Sequence, residues 1–203
     1  MSDNNQILVP KNQILVGKEF YDKQIYTALR NLQSEKYQPL YMPRLIDTRN
    51  EADKEEQIWQ TWYTAPSIRA TGKTNQGAPV VVYAHIPNYF SNPDNIENAQ
   101  KKLINGAGIL PQKEFQKLLD KNKITDDLGN RLVWVVDYDT LKNSESGTIY
   151  VKHALEHPQT IPFLGGEERA EKYLERYKEV PGAKISILHL DDLKDEPLGR
   201  LLF

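Results

Sequence analysis

The sequence predicts an α/β or α+β protein in which a single mixed β-sheet carries helices packed on its faces. Three nearly continuous apolar runs, at residues 79–85, 132–138 and 184–190, are typical of strands that are covered on both sides. Segments with helical periodicity separate these runs along the chain. Two strand pairs are joined by short, turn-like loops, which indicates antiparallel pairing in part of the sheet. We therefore expect strands of both directions in one sheet.

Composition places the chain among neutral, single-domain proteins. The chain has 203 residues, with 26 Lys and Arg against 28 Asp and Glu, so the basic excess expected of a general nucleic-acid-binding protein is missing. The absence of cysteine excludes a disulfide framework, a thiol nucleophile and Cys-ligated metals. The first residues do not resemble a signal peptide, and no apolar run reaches the ~20 residues of a membrane span. We expect a cytoplasmic protein without a membrane partner.

A duplication marks the N-terminus. The run Asn-Gln-Ile-Leu-Val occupies residues 5–9 and again residues 12–16, and Pro10 stands between the two copies. Each copy suits a short strand, and proline confines a strand to an edge or ends it. We therefore expect an extended N-terminal arm over residues 1–17, followed by a single globular α/β domain over residues 18–203. The arm docks on its own domain, which is usual for short arms, or on another chain.

Helical and extended segments alternate in the first half. An apolar stripe predicts a helix over residues 19–35, and a charged segment predicts a second helix over residues 50–59. An extended segment follows and leads to Gly72-Lys73-Thr74, which resembles the end of a phosphate-binding loop. Ser67 stands where that loop needs its first glycine, and a strand follows instead of a helix. The segment is therefore interpreted as a hairpin loop.

Start and stop residues define the helices of the second half. Asn92 and Pro93 supply an N-cap and a first-turn proline, and Gly106 ends that helix. Pro111 opens the next helix. The remaining predicted elements are a short strand at residues 148–151, an amphipathic helix at residues 167–179 and an apolar segment at residues 198–203, which docks as a last strand or continues in a longer chain.

Candidate catalytic residues follow the three apolar runs. His85 follows the first run, Asp137 and Asp139 the second, and His189 and Asp191 the third. Carboxyl ends of parallel strands meet at one rim, where such a set binds a divalent metal or performs acid–base chemistry. The alternative function is thus a metal-assisted hydrolase, with phosphoesters as a substrate class. The competing interpretation is that these are ordinary turn residues on different edges.

A second histidine pair has the spacing of metal ligands. His153 and His157 match the His-x-x-Glu-His pattern of inverted zinc peptidases, which brings both imidazoles to one metal on a helix. Pro158 opposes this assignment, because a residue before proline is pushed out of helical geometry. A short helical turn with solvated histidines is the competing interpretation. A divalent metal is the one cofactor for which the sequence offers ligands.

The leading hypothesis is a non-catalytic, soluble domain that acts through protein–protein association, as a homo-oligomer or with a partner protein. It depends on the lack of an intact catalytic motif, the duplicated arm and the apolar C-terminal segment. An aromatic group adds to it, because Trp59, Trp62 and Tyr63 with Arg69 and Lys73 have the composition of an interface. Large aromatic residues are nevertheless more often found in a core.

Overall fold

A five-stranded antiparallel sheet lies between two groups of helices. The computed structural model describes residues 5–11, 14–61, 63–144, 147–178 and 184–202. The strands are β1 (Asn5–Lys11), β2 (Ile14–Asp22), β3 (Ala65–Lys73), β4 (Pro79–Ala84), β5 (Gly108–Ile109), β6 (Val133–Asp137), β7 (Gly147–Tyr150), β8 (Lys184–Ile187) and β9 (Leu198–Leu202). The helices are α1 (Ile25–Ser34), α2 (Met42–Glu51), α3 (Gln57–Gln60), α4 (Pro93–Gln100), α5 (Gln112–Asp120), α6 (Tyr138–Lys142), α7 (Val151–Ala154), α8 (Thr160–Leu164) and α9 (Glu167–Lys178).

The predicted class is confirmed as α+β, with helices packed on a central sheet. The strand order is β5-β9-β3-β4-β6, while β1–β2 and β7–β8 form separate two-stranded sheets. The expectation of one sheet with mixed directions is wrong, because every pairing between the described strands is antiparallel. The chain leaves β4 at Ala84 and enters β6 at Val133, directly opposite. It therefore returns at the same end of the sheet, and no crossover to a parallel neighbour is made.

Strand β4 is buried on both faces, as its apolar run predicts. Val82 and Ala84 belong to a core cluster with α1, α4 and α5. Val81 and Tyr83 face the opposite way, into a second cluster with α2, α8 and α9. The alternation of side chains along a strand thus divides this apolar run between two cores. The loop after β3 is the predicted hairpin, since the backbone N–H of Thr74 donates to Ala78 O at 2.9 Å.

The other two apolar runs occupy different positions from those expected. β6 is an edge strand, and Val135 on it is 39% exposed. β8 pairs only with β7 among the described strands and lies outside the main sheet. An apolar run indicates that a strand is buried, but it does not indicate which elements cover the strand. The sequence therefore placed both runs in one sheet. The C-terminal strand is confirmed: β9 lies between β5 and β3, although Phe203 is outside the described residues.

Two predicted helices begin at different residues. α1 starts at Ile25 rather than at residue 19, because residues 14–22 pair with β1 as a hairpin. β2 therefore extends beyond residue 17, where the N-terminal arm was expected to end. Asn12 and Gln13, at the start of the second copy of the duplication, lie outside the residues that the structure describes. The helix predicted over residues 50–59 is wrong, since α2 ends at Glu51 and α3 has four residues. The helices α5 and α9 are confirmed, and so is the start of α4, but α4 ends at Gln100 and not at Gly106. None of the described helices is long and apolar enough to cross a membrane.

A buried hydrogen-bond chain joins the sheet to α2 and α8. The backbone N–H of Met42 donates to Ser67 Oγ at 2.8 Å, and Ser67 Oγ lies 3.0 Å from His85 Nδ1. His85 Nε2 lies 2.8 Å from Pro162 O, which only accepts, so Nε2 carries the proton and the Ser67 hydroxyl donates to Nδ1. The imidazole of His85 is thus neutral, and both of its ring nitrogens form hydrogen bonds. Burial lowers the pKa of His85 from 6.5 to about 4, against the opposing effect of the Pro162 hydrogen bond.

A buried ion-pair cluster joins the sheet to the segment before β9. Arg69 and Arg200 lie directly opposite each other on β3 and β9. Asp191 lies between them, with Oδ2 at 3.1 Å from Arg69 Nη2 and Oδ1 at 2.6 Å from Arg200 Nη2. Arg69 also donates to the backbone carbonyls of Leu188 and His189. The carboxylate therefore neutralises two adjacent like charges, and Arg69 fixes the path of the chain that leaves β8.

We expect stability to depend on pH through His85. Its imidazole titrates near 6.5 when unfolded and near 4 when folded, so stabilisation is complete above pH 6.5 and is lost as the pH falls towards 4. The free energy of unfolding should drop by about 2 kcal/mol between pH 7 and pH 5, measured by urea denaturation. His85→Gln should remove this pH dependence, whereas His189→Gln, at an exposed site, should keep it. An unchanged pH dependence in His85→Gln would contradict the assignment.

Asp191→Asn should destabilise the fold by about 3–5 kcal/mol, because two arginines lose their shared counter-ion in a buried site. The neighbouring Asp192 is the matched control. Its side chain is 71% exposed and lies 3.7 Å from Lys194 Nζ, so Asp192→Asn should change stability by less than about 1 kcal/mol. Denaturant unfolding of both variants measures the difference. Equal stability of the two variants would show that the cluster does not hold the segment.

Candidate functional site

The structure does not bring together the residues that follow the three apolar runs. His85 lies beside Leu132, where β6 begins, and its backbone N–H donates to Leu132 O at 2.8 Å. Asp137 pairs with Val80 at the other end of the same two strands. Five residues of strand separate the two positions, which corresponds to about 17 Å at ~3.4 Å per residue. The common rim required for a hydrolase site depended on parallel strands, and these strands are antiparallel.

Each member of that set has a local environment of its own. Asp137 is the N-cap of α6 and accepts a hydrogen bond from the backbone N–H of Thr140 at 2.8 Å. Asp139 is exposed in the first turn of α6, and His189 is exposed beyond β8. Asp191 forms ion pairs with the two arginines, Arg69 and Arg200. His85 is hydrogen-bonded within the chain from Ser67 to Pro162. These are capping and packing roles, and they require no substrate.

His153 and His157 do not share a helix face. α7 ends at Ala154, and the backbone N–H of His157 donates to Ala154 O in the turn that follows. His153 is exposed, whereas His157 is buried and its Nδ1 accepts from the backbone N–H of Gln159 at 3.3 Å. The expected effect of Pro158 on the geometry of His157 is therefore observed. Within the described ranges, no group of three His, Cys, Asp or Glu side chains is arranged to hold a metal ion.

A cavity of about 480 Å³ lies on the α2–α9 side of the molecule, and we call it the aromatic cavity. It is bounded by α2, α3, α8, α9 and β8. Its aromatic walls are Trp59, Phe163, Tyr173 and Tyr177, and aliphatic side chains from α2, α8 and β8 complete them. This size and this lining are typical of sites that accept a small molecule or a large side chain.

Three of the aromatic rings form one packed group. The rings of Trp59 and Tyr173 are stacked, with centroids 5.5 Å apart and planes 13° apart. Tyr177 packs edge-on against both, at 5.7 and 5.2 Å, and its hydroxyl lies 3.3 Å from that of Tyr173. Burial raises the pKa of the Tyr177 phenol, and the neighbouring Tyr173 adds to the effect. The rings are thus neutral, mutually oriented surfaces, held before any ligand arrives.

Two polar groups at the cavity retain unused hydrogen-bond donors. Trp59 Nε1 is buried and has no hydrogen-bond partner in the part of the chain that the structure describes. Arg49 donates to the carbonyls of Ile58 and Thr61 at 3.0 and 2.9 Å, and to the Tyr173 hydroxyl at 3.1 Å. Guanidinium has five N–H donors, so two remain. A buried donor without an acceptor is costly, so a ligand that placed an acceptor beside the Trp59 indole would stabilise it.

An open groove lies beside the Trp59 wall of the cavity. We call it the charged groove; it is lined by Asn50, Asp53, Lys54, Glu55, Lys172, Glu175 and Arg176. The Arg176 guanidinium connects the two sites, because it lies 5.0 Å from the Trp59 ring centroid and also lines the groove. It donates to the carbonyls of Asn50 and Ala52 at 2.7 Å each, which fixes the chain after α2. An aromatic centre is therefore bordered by a rim of both charges.

The sequence identified only part of this site. Trp59 was among the proposed interface aromatics, but Tyr63 is a core residue, and Trp62 is outside the described residues. Tyr173 and Tyr177 were assigned to the apolar stripe of the helix at residues 167–179. Two tyrosines at i, i+4 spacing were the available signal, since their hydroxyls suit a surface that is only partly buried. The sequence did not identify Arg49, because it predicted no helix over residues 42–49, which belong to α2.

No protein-family model matches this sequence, and no curated protein matches it either. A solved structure from work on the accommodation of massive sequence variation in Nanoarchaeota by the C-type lectin fold is similar over most of its length. The two sequences are 58% identical, the match covers 91% of this chain and 84% of that one, and the TM-score is 0.81. The chain described here therefore belongs to the family of C-type lectin fold proteins.

Proposed function

We propose that the chain is a non-catalytic binding domain that associates with another protein and takes one group of that partner into the aromatic cavity. The observation that carries this proposal is a preformed aromatic wall in which Trp59 Nε1 has no hydrogen-bond partner among the described residues. A site of this kind offers a large contact area and a hydrogen-bond donor, and these features serve binding without a chemical reaction.

The surroundings of the cavity favour a protein partner. Interface centres are enriched in Trp, Tyr and Arg, and their rims are polar. Here Trp59, Tyr173 and Tyr177 form the centre, and the charged groove continues outward from Arg176. A small molecule would use the cavity alone, whereas a protein would also cover the groove. The partner is a second copy of this chain or a different protein.

The family supports a recognition role. The similar structure is described as a case in which the C-type lectin fold accommodates massive sequence variation. Partners are recognised through side chains, so a constant fold with variable side chains suits proteins that bind different partners.

A neutral aromatic probe tests this function. N-acetylphenylalanine amide has the ring and the backbone groups of a phenylalanine within a protein. When it is titrated into the ¹⁵N-labelled chain, the indole N–H resonance of Trp59 should shift saturably, because that donor gains an acceptor in the cavity. Tyr177→Ala should weaken this binding at least about tenfold, since it removes one aromatic wall.

Trp134 is the matched control residue. It lies on the edge strand β6, where its ring contacts Arg131, and its indole N–H donates to Arg131 O at 3.1 Å. Its resonance should stay in place during the titration, and Trp134→Phe should bind the probe as the unaltered chain does. A shift of Trp134 equal to that of Trp59 would show non-specific binding. Absence of a Trp59 shift with both this probe and its free acid would reject the cavity as a binding site.

A further inference from the structure

The charges at the aromatic cavity have one sign. Arg49 and Lys184 line it, and the other described lining residues are uncharged. Within the described ranges Arg49 forms no ion pair, and its three hydrogen bonds go to two carbonyls and a phenol. Lys184 is exposed, with Nζ 4.8 Å from the Tyr150 ring centroid. A half-buried guanidinium without a carboxylate nearby favours a ligand that supplies one.

The remaining donors at the cavity point to the same chemistry. Trp59 Nε1 has no acceptor among the described residues, and Arg49 has two further N–H groups. The ligand must therefore accept hydrogen bonds and carry negative charge, while its apolar part covers the rings of Trp59, Phe163 and Tyr177. No encoded side chain joins a large apolar group to a carboxylate. In a polypeptide, a C-terminal residue with an aromatic side chain does so within one residue.

We infer that the aromatic cavity binds the C-terminal residue of a partner polypeptide, with its aromatic ring against Trp59 and Tyr177 and its carboxylate at Arg49. This inference rests on the proposed binding function and specifies its ligand. The two free N–H groups of Arg49 suit the two oxygens of a carboxylate, and a planar guanidinium binds that geometry better than an ammonium does. Lys184 at the edge adds a second positive charge.

Three probes separate the contributions of the ring and the carboxylate. N-acetylphenylalanine is the free acid and matches a C-terminal Phe residue. Its amide has the same ring without charge, and N-acetylalanine has the carboxylate without a ring. In titrations that follow the Trp59 indole resonance, the free acid should bind about 10- to 100-fold more tightly than the amide, the ratio expected for hydrogen bonds to a charged group. N-acetylalanine should be at least tenfold weaker than N-acetylphenylalanine.

Substitution of Arg49 should remove the preference for the free acid. In Arg49→Gln the ratio of the two dissociation constants should fall below about threefold, because the free acid loses its charged partner and the uncharged amide does not. Arg49→Lys should keep part of the preference, because the charge remains and the planar fork is lost. Arg44→Gln is the matched control on the same helix, where the side chain is exposed, and it should retain the full preference. Thermal midpoints identify any variant that fails to fold, and Arg49→Lys then decides.

The outcomes distinguish the two proposals. Equal affinity of the acid and the amide would overturn the inference about the carboxylate and leave the cavity as a binding site. A preference for the acid that survives in both Arg49 variants would overturn the role of Arg49. If a longer peptide with a free C-terminal Phe binds much more weakly than N-acetylphenylalanine, the partner is not a polypeptide, and the inference about its source fails. No binding of any probe would reject the proposed function as well.

Discussion

The contact between Arg69 and Asp191 is the constraint on which the rest of the molecule depends. Arg69 lies on the central strand and is 1% exposed, so its charge has to be met inside the protein. Asp191 meets it and neutralises Arg200 on the adjacent strand as well. Because Arg69 also holds the carbonyls of Leu188 and His189, the chain between β8 and β9 is fixed to the sheet. That connection lets β9 enter between β5 and β3 while β8 forms one wall of the aromatic cavity.

A second buried arginine fixes the opposite wall of the cavity. Arg169 on α9 binds Asp47 on α2, with Nε 2.6 Å from Oδ1, and binds Asp126 at 3.1 Å. Gly165, at φ 82°, ends α8 beside Pro43 of α2, where no side chain would fit. The helices that carry Arg49, Tyr173 and Tyr177 are thus positioned by contacts outside the cavity. The site stays open because its rings pack on one another instead of filling the space, and a rigid site loses little entropy on binding.

The elements that the sequence predicted well have their causes within a few residues. Asn92 and Pro93 start α4 wherever it packs, and the apolar run at residues 79–85 requires a strand that is covered on both faces. The errors have causes outside the segment concerned. α1 begins late because the residues before it pair with β1. The prediction of a site at the strand ends was wrong because the relative direction of β4 and β6 depends on where the intervening chain returns to the sheet. The sequence of a single segment does not contain that information.

By itself, the sequence determined that this is a neutral, cysteine-free α/β or α+β protein with one strand buried on both faces, a hairpin after β3 and an apolar C-terminal strand. These properties follow from local preference and hydrophobic pattern, which act over a few residues. Only the tertiary structure decided that His85 and Asp191 hold layers together instead of sharing one rim of the sheet. It also decided that Trp59 and Arg49 share one cavity with Tyr173, which lies far from both in the chain. Such a site depends on which helices pack together, and long-range contacts of this kind are not encoded in any one segment.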